Sequence, residues 1–255
     1  MSDRAAHPEL SVVVPVHNEA ENVAPLLREI GAALDGVIEY EVIYVDDGSA
    51  DATPARLVEA ARAYPRLRVV RHARSCGQST ALHTGVRYAR GAWVATLDGD
   101  GQNDPADVPR LLAIARDPAA PAGLHLVTGR RRRRHDSVLR RLSSGVANRV
   151  RAALLHDETP DTGCGLKVFR RDAFLALPYF DHMHRFLPAL ILRAGGRVLS
   201  VPVAHRPRLH GRSHYGVGNR LWVGIVDLLG VMWLLRRARL PEVSIVAGPD
   251  AAPEA

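Results

Sequence analysis

The sequence predicts an α/β fold: a mostly parallel open sheet with helices on both faces. Three observations carry that reading. Near-continuous apolar, β-branched runs recur four times before position 100, as buried parallel strands require. Segments with helical spacing separate them. Polar clusters rich in acids and glycine follow the strand runs, where an open sheet carries its ligands beyond the carboxyl ends of its strands.

Leu10 to Val16 (LSVVVPV) reads as the first strand. Behind it Asn18 and Glu21 resemble a capping box, and Val23, Leu26, Leu27, Ile30 and Leu34 keep helical spacing. Tyr40 to Val45 is the second strand, Leu67 to Val70 the third and Trp93 to Leu97 the fourth. Helices over Ala52 to Ala63 and Gly77 to Tyr88 fill the crossovers between them. From Asp136 to Leu155, Val138, Leu139, Leu142, Val146, Val150 and Leu154 form an apolar stripe with Arg140, Arg141, Arg149 and Arg151 largely off it. Such a helix sits either in a membrane interface or on the sheet. Leu221 to Leu235 spans roughly 22 Å as a helix, short of a hydrocarbon core of about 30 Å, and carries Asp227 in its middle. Trp222 and Trp233 near its ends, with Arg220, Arg236 and Arg237 beyond, suit the headgroup region. A buried helix or a contact between copies of the chain, a homo-oligomer, is the alternative. The expected organisation is a main domain over 1–215, an interfacial helix over 216–240 and a flexible tail over 241–255.

The chain has 255 residues, 47% hydrophobic and 24% charged, which excludes a disordered chain. Cys76 and Cys164 cannot build a disulfide framework, so a reduced, intracellular setting is expected. The opening MSDRAAHPEL lacks the apolar core of a signal peptide, and no run of 18 apolar residues occurs to make a transmembrane helix. The net charge of +7 is unevenly spread. Nine arginines against Asp136 between Gly129 and His156, and seven against Asp227 between Val203 and Leu240, leave an acidic remainder. Basic patches of this kind seek phosphate on lipid, nucleic acid or a phosphorylated substrate.

The polar clusters are Pro15-Val16-His17-Asn18-Glu19, Asp46-Asp47-Gly48-Ser49 with Asp51 behind, and Asp98-Gly99-Asp100-Gly101-Gln102-Asn103-Asp104-Pro105. Acid-glycine turns are common at strand ends, but three in register on one sheet edge point to a site. Two carboxylates separated by one small residue can converge on a divalent ion, and hard oxygen ligands suit Mg²⁺ or Mn²⁺. Such an ion can clamp a diphosphate and neutralise the charge that grows on it as it leaves. The earlier carboxylates can hydrogen-bond ribose hydroxyls or base N–H groups.

PVHNEAEN, VDDGSADAT and LDGDGQNDP resemble the family 2 glycosyltransferases of GT-A fold. The closest likeness is to the branch of dolichol-phosphate mannosyltransferase and its bacterial polyprenyl-phosphate relatives. With TGCGLKVFRRD (Thr162 to Asp172) and HRPRLHGRSHYG (His205 to Gly216), the resemblance runs from Leu10 to Tyr215. It implies metal-dependent, inverting transfer of a hexose of the mannose or glucose class from a GDP- or UDP-sugar to a polyprenyl phosphate. A soluble or polysaccharide acceptor is the alternative. By position, the resemblance places Pro15, His17, Glu19, Val45, Asp46 and Asp47 in the nucleotide pocket. Asp98, Gly99 and Asp100 become the DxD motif, with Asp98, Asp100 and Gln102 at the metal. Arg130 faces the phosphates, and Arg206 and the loop through Ser213 and His214 to Tyr215 close over donor and acceptor phosphate. Asp98, Asp100 and Arg206 are the implied catalytic residues.

Two positions depart from the family pattern. His214 stands where lysine is usual, and neutral histidine clamps phosphate less well. Cys164 stands where some relatives have an acid, leaving Asp161 as a neighbouring candidate base. A polyprenyl phosphate is already ionised at pH 7 and needs little help from a base. The expected location is the cytoplasm, peripherally on the inner face of an anionic membrane. A nucleic-acid-binding role for Arg130 to Arg134 is opposed by the acidic remainder and the lack of an aromatic platform. His182 and His184 with a remote cysteine do not have zinc-ligand spacing.

Overall fold

A computed structural model of the chain describes residues 7–131, 151–157, 159–208 and 218–241. Its sheet is built on β1 (Leu10–Val16) and β2 (Tyr40–Asp46), all of whose residues are buried. β3 (Leu67–Arg71) and β4 (Trp93–Thr96) flank them, and β5 (Leu124–Arg131), β6 (Lys167–Arg170) and β7 (Arg197–Val203) extend the sheet. The order is β3-β2-β1-β4-β6-β5-β7. Only β6 runs against its neighbours; the other pairings are parallel. The strand order reverses beside β1, where the carboxyl ends of β1, β2 and β4 open a crevice.

Alternation along β1 divides the core. Val12, Val14 and Val16 face α1 (Val23–Leu34), Leu57 of α2 (Thr53–Ala63) and Leu111 and Leu112 of α4 (Val108–Arg116). Val13 faces the other way with Ile43 and Val45, packing under α3 (Gln78–Tyr88). Phe174 of α5 (Arg171–Leu175) and Leu187, Leu190 and Ile191 of α6 (Leu187–Arg193) continue that second layer. Helices thus cover both faces, as the apolar runs require.

The entry into α1 differs from expectation. The helix starts at Val23, with Asn22 as its N-cap and no side-chain capping bond. Asn18 is instead left-handed (φ 57°), and its Oδ1 accepts the Ala50 N–H at 2.9 Å and the Asp51 N–H at 3.4 Å. It ties the loop after β1 to the loop after β2, a bond across the sheet that the local pattern does not disclose.

Among the described residues no helix is long and apolar enough to cross a membrane. The C-terminal helix, α7 (Gly218–Arg236), lies on the second core through Val231, Leu228, Met232 and Leu235. Asp227 Oδ2 meets His182 Nδ1 at 2.9 Å, and Arg193 Nε donates to the Leu234 carbonyl at 2.9 Å. The opposite face is open: Trp222 is 68% exposed and Trp233 59%, with Ile225, Val226 and Leu229 between them. A wholly buried helix is therefore excluded. Of the arginine-rich stretch before it, residues 151–155 are helical, and Arg151 pairs with Asp157 and the Thr159 carbonyl. Residues 132–150 lie outside the described residues.

Candidate active site

Parallel register sets Pro15 beside Val45 and Val16 beside Asp46, so the first two motifs leave the sheet side by side. Pro15 and Val45 are buried, and the Val45 side chain belongs to the core beneath α3. Asp46 is also buried; its Oδ1 accepts the Ser49 N–H at 2.9 Å, and Arg71 Nε lies 3.0 Å from Oδ2. Asp46 therefore shapes the turn. Gly48 makes that turn possible: at φ 68°, a Cβ there would stand 2.5 Å from the Arg74 carbonyl carbon. His17 Nδ1 sits 2.8 Å from the Asp47 carbonyl oxygen.

Asp47 is the hub of this edge. Its Oδ1 accepts from His72 Nδ1 at 2.7 Å and the Cys76 N–H at 2.9 Å. Its Oδ2 accepts from the Ser75 hydroxyl and the Gly77 N–H, both at 2.8 Å. Burial alone pushes the carboxyl up, but the four donors outweigh it and hold Asp47 below the ordinary carboxylate range. Asp47, His72 and Cys76 bring ligand atoms within 4.8 Å of one another. Both Asp47 oxygens are already committed to two donors each, so the cluster acts to order residues 72–77.

The third motif closes the crevice. Gly99 lies so close to β1 that a Cβ would meet Val16 Cγ1 at 2.5 Å and the Pro15 carbonyl at 2.9 Å. Asp98 Oδ1 accepts from Gln78 Nε2 at 2.9 Å, and its N–H donates to Asn103 Oδ1 at 2.9 Å. Its carboxylate rests on the backbone of Gly165, where an added Cβ would lie 2.6 Å from Oδ1 and nearer still to Oδ2. Burial and the neighbouring Asp100 charge raise the Asp98 pKa to about 6, against the pull of Lys167, Arg131 and Gln78. Asp100 Oδ1 accepts the Gln102 N–H at 3.1 Å, and its Oδ2 accepts Arg208 Nη2 at 2.9 Å. Glu19 Oε1 lies 3.4 Å from the same Arg208 nitrogen, and its Oε2 accepts from Asn22 at 2.6 Å.

Beneath Asp98, Arg131 forms a two-pronged pair with Asp161, at 2.8 and 2.7 Å. Buried Lys167 donates to the Thr162 and Cys164 carbonyls, and burial lowers its pKa. Ser79 Oγ meets His184 Nδ1 at 2.7 Å, and burial, helped by Arg185, Lys167 and His182, pushes His184 down to about 3. The histidine is therefore neutral near pH 7.

The family model for Glycosyl transferase family 2 matches residues 11–177. The chain belongs to this family. The glycosyltransferase is 37% identical over 241 residues to dodecaprenyl-phosphate galacturonate synthase of Rhizobium johnstonii, covering 91% of this chain and 69% of that one. It is 36% identical over 219 residues to undecaprenyl-phosphate 4-deoxy-4-formamido-L-arabinose transferase of Edwardsiella ictaluri, covering 85% of this chain and 66% of the relative. The chain thus spans about two thirds of the length of these relatives. The GT-A fold is shared with a mannosyltransferase of Pyrobaculum calidifontis, solved with GDP-Man and Mn²⁺ (TM-score 0.65, 23% identity, 94% of this chain and 68% of that one). It is also shared with glucosyl-3-phosphoglycerate synthase of Mycobacterium tuberculosis, solved with Mn²⁺, UDP-glucose and glycerol 3-phosphate (TM-score 0.66, 20% identity, 94% of this chain and 83% of that one).

In this glycosyltransferase the expected site residues separate into two groups. His17, Glu19, Asp47, Asp98, Gly99 and Asp100 gather around the crevice, with Pro15 behind them. Arg130 is exposed, whereas Arg131, on the other face of β5, pairs with Asp161 and lowers the Asp98 pKa. Strand alternation is the cause: Val127, Gly129 and Arg131 share the face toward Cys164, whose Sγ would lie 2.9 Å from a Cβ on Gly129. Arg206 is bound to Glu29 of α1, at 3.2 and 2.6 Å, and to the Asn103 carbonyl at 3.1 Å. Arg208 is the arginine that reaches Asp100. Gln102 turns its amide to the Arg206 carbonyl at 3.4 Å. Asp161 is engaged by Arg131, which removes it as a free base. Ser213, His214 and Tyr215 lie outside the described residues. Gln78 lies in none of the motifs, and Lys167 and Arg208 carried no local signal beyond the motifs that contain them; alternation along the arginine run could have selected Arg131.

Proposed function

We propose that this glycosyltransferase moves a sugar from a nucleotide diphosphate to a polyprenyl phosphate, with Mg²⁺ or Mn²⁺ held by Asp98 and Asp100. The observation that carries the reading is the pair of carboxylates across Gly99, with Asp98 seated on Gly165, Gly99 packed against the end of β1, and Asp100 sharing Arg208 with Glu19 of the loop after β1. The donor set fits a hard divalent cation: burial and the Asp100 charge make Asp98 costly to ionise without a cation, and Asp100 already draws a guanidinium. Such an ion supplies charge neutralisation for the departing diphosphate. Ordering of residues 72–77 by Asp47 shapes the nucleotide side of the crevice, and His17 and Glu19 line it.

The acceptor phosphate oxygen forms the new bond to the sugar's anomeric carbon as the bond to the diphosphate oxygen breaks, inverting that centre. An ionised acceptor has no proton to lose, in keeping with Asp161 being bound to Arg131 and Cys164 buried. What the chain supplies is in-line positioning and electrostatic support. The named relatives act with dodecaprenyl and undecaprenyl phosphate, which supports the lipid acceptor. They carry galacturonate and formamido-arabinose, so the donor range to test extends beyond mannose and glucose.

The exposed Trp222, Ile225, Val226, Leu229 and Trp233, followed by exposed Arg236, Arg237 and Arg239, support peripheral association with the inner, anionic membrane face. The test is a panel of GDP- and UDP-sugars with Mg²⁺ or Mn²⁺ and a short polyprenyl phosphate, scored for lipid-linked sugar. Product that requires the lipid and is lost in Asp100→Asn supports the reading. Transfer to a soluble or polysaccharide acceptor without lipid overturns it.

A further inference from the structure

Arg208 lies just after β7, on a segment that pairs with the loop after β4. Asn103 and His205 form an antiparallel bridge, and the Arg206 N–H donates to the Gln102 carbonyl at 2.9 Å. The two arginines of this segment are used differently. Arg206 is locked by both Glu29 oxygens and the Asn103 carbonyl, which anchors the segment. Arg208 reaches across the crevice through one nitrogen, Nη2, to Asp100 Oδ2 at 2.9 Å and Glu19 Oε1 at 3.4 Å. Among the described residues its other terminal nitrogen, Nη1, is buried without a hydrogen-bond partner.

These observations point the same way. A buried guanidinium N–H without an acceptor is costly, and an anionic oxygen is its natural partner. A planar, permanently charged guanidinium also suits phosphate. The same side chain meanwhile occupies the carboxylate that the proposed metal requires.

We propose that Arg208 is an exchangeable counter-ion. It neutralises Asp100 before the donor binds, and transfers its guanidinium to the donor's diphosphate when a divalent cation takes the carboxylate. This rests on the metal reading of Asp98 and Asp100. A cation arriving alone competes with Arg208 for Asp100. A cation arriving with a diphosphate does not, because the diphosphate gives both Arg208 nitrogens new acceptors. Metal and nucleotide binding are therefore coupled, and the coupling is reciprocal.

The experiment titrates the full chain with Mn²⁺, following free Mn²⁺ by electron paramagnetic resonance, alone and with saturating GDP or UDP. In the unmodified protein, nucleotide tightens Mn²⁺ binding. Arg208→Gln binds Mn²⁺ alone about tenfold more tightly, roughly one charge-assisted hydrogen bond at a partly buried position. It binds the nucleotide alone as before and the nucleotide in excess Mn²⁺ about tenfold more weakly, so the coupling falls about tenfold. Arg208→Lys keeps the charge and binds Mn²⁺ alone as weakly as the unmodified chain. Mn²⁺ affinity in Arg208→Gln that is unchanged or weaker, with binding still abolished in Asp100→Ala, overturns the exchange and leaves the metal site standing. Absence of any nucleotide effect on Mn²⁺ affinity in the unmodified protein overturns it without recourse to a variant. Mn²⁺ binding that survives in Asp100→Ala overturns both the exchange and the metal site.

Discussion

Gly165→Ala tests the placement of the proposed metal carboxylates by adding one methyl group. The new Cβ would lie 2.6 Å from Asp98 Oδ1 and nearer still to Oδ2, whereas ordinary contact begins near 3.4 Å. The carboxylate must retreat by about 1 Å, enough in a reacting constellation to cost about a hundredfold in rate. It cannot turn without losing the Gln78 bond at 2.9 Å. The Gly165 backbone is fixed as well, because its carbonyl accepts the Thr96 hydroxyl at 2.6 Å. Folding should suffer much less. Overpacking of one methyl costs about 1–3 kcal/mol, and a rotated carboxylate that gains water relieves part of it. The expected loss in melting temperature is therefore about 2–6 °C in a chain of this size. The assay pairs turnover on the polyprenyl phosphate with Mn²⁺ affinity and a thermal melt. Turnover and Mn²⁺ affinity both within twofold of the unmodified enzyme would falsify the placement of Asp98 on Gly165.

Asp47→Ala removes an acceptor shared by four donors. Their part-buried setting lets water replace some of it, so a loss of about 2 kcal/mol and a melting shift of about 4–8 °C are expected, with KM for the nucleotide rising more than kcat falls. Nucleotide KM and melting temperature both unchanged would remove Asp47 as the organiser of residues 72–77. His184 gives an acid dependence with a definite sign. Its folded pKa, about 3, lies below the unfolded value of about 6.5, so the unfolded chain binds the extra proton and stability falls as pH drops below 6.5. Between pH 7.5 and 5 the loss is about 1–2 kcal/mol after allowing for partial exposure, and His184→Asn should flatten it; an equal slope in the variant assigns the acid loss elsewhere. Trp222→Glu with Trp233→Glu alters two exposed side chains, so the melt and nucleotide binding should hold while liposome sedimentation and lipid-acceptor activity fall together. A folded double variant that sediments like the unmodified protein contradicts the membrane-facing role of α7.

What could be read from the sequence is what local spacing encodes. The runs at Leu10, Tyr40, Leu67 and Trp93 are strands because buried parallel strands tolerate no polar face, and the acid-glycine motifs follow β1, β2 and β4 because chains turn there. β5, β6 and β7 escaped that reading. Their histidine, threonine, serine and arginine break the apolar pattern, and β6 is only four residues long. Within the motifs, residue type marked Asp98 and Asp100 as a pair, but not the side chains that hold them. Arg131 is selected over Arg130 by the face of β5 that meets Cys164, and Arg208 reaches Asp100 because Glu29 claims Arg206. Asn18 leaves the expected cap for the loop after β2, and Asp47 spends its acceptors on residues 72–77. Each of these partners lies far away along the chain and near only once the order β3-β2-β1-β4-β6-β5-β7 is set. Periodicity reports which face of an element is apolar. Which charge meets which across the crevice is decided by strand order, because electrostatic and hydrogen-bond partners act over a few ångströms of space and carry no fixed spacing in sequence.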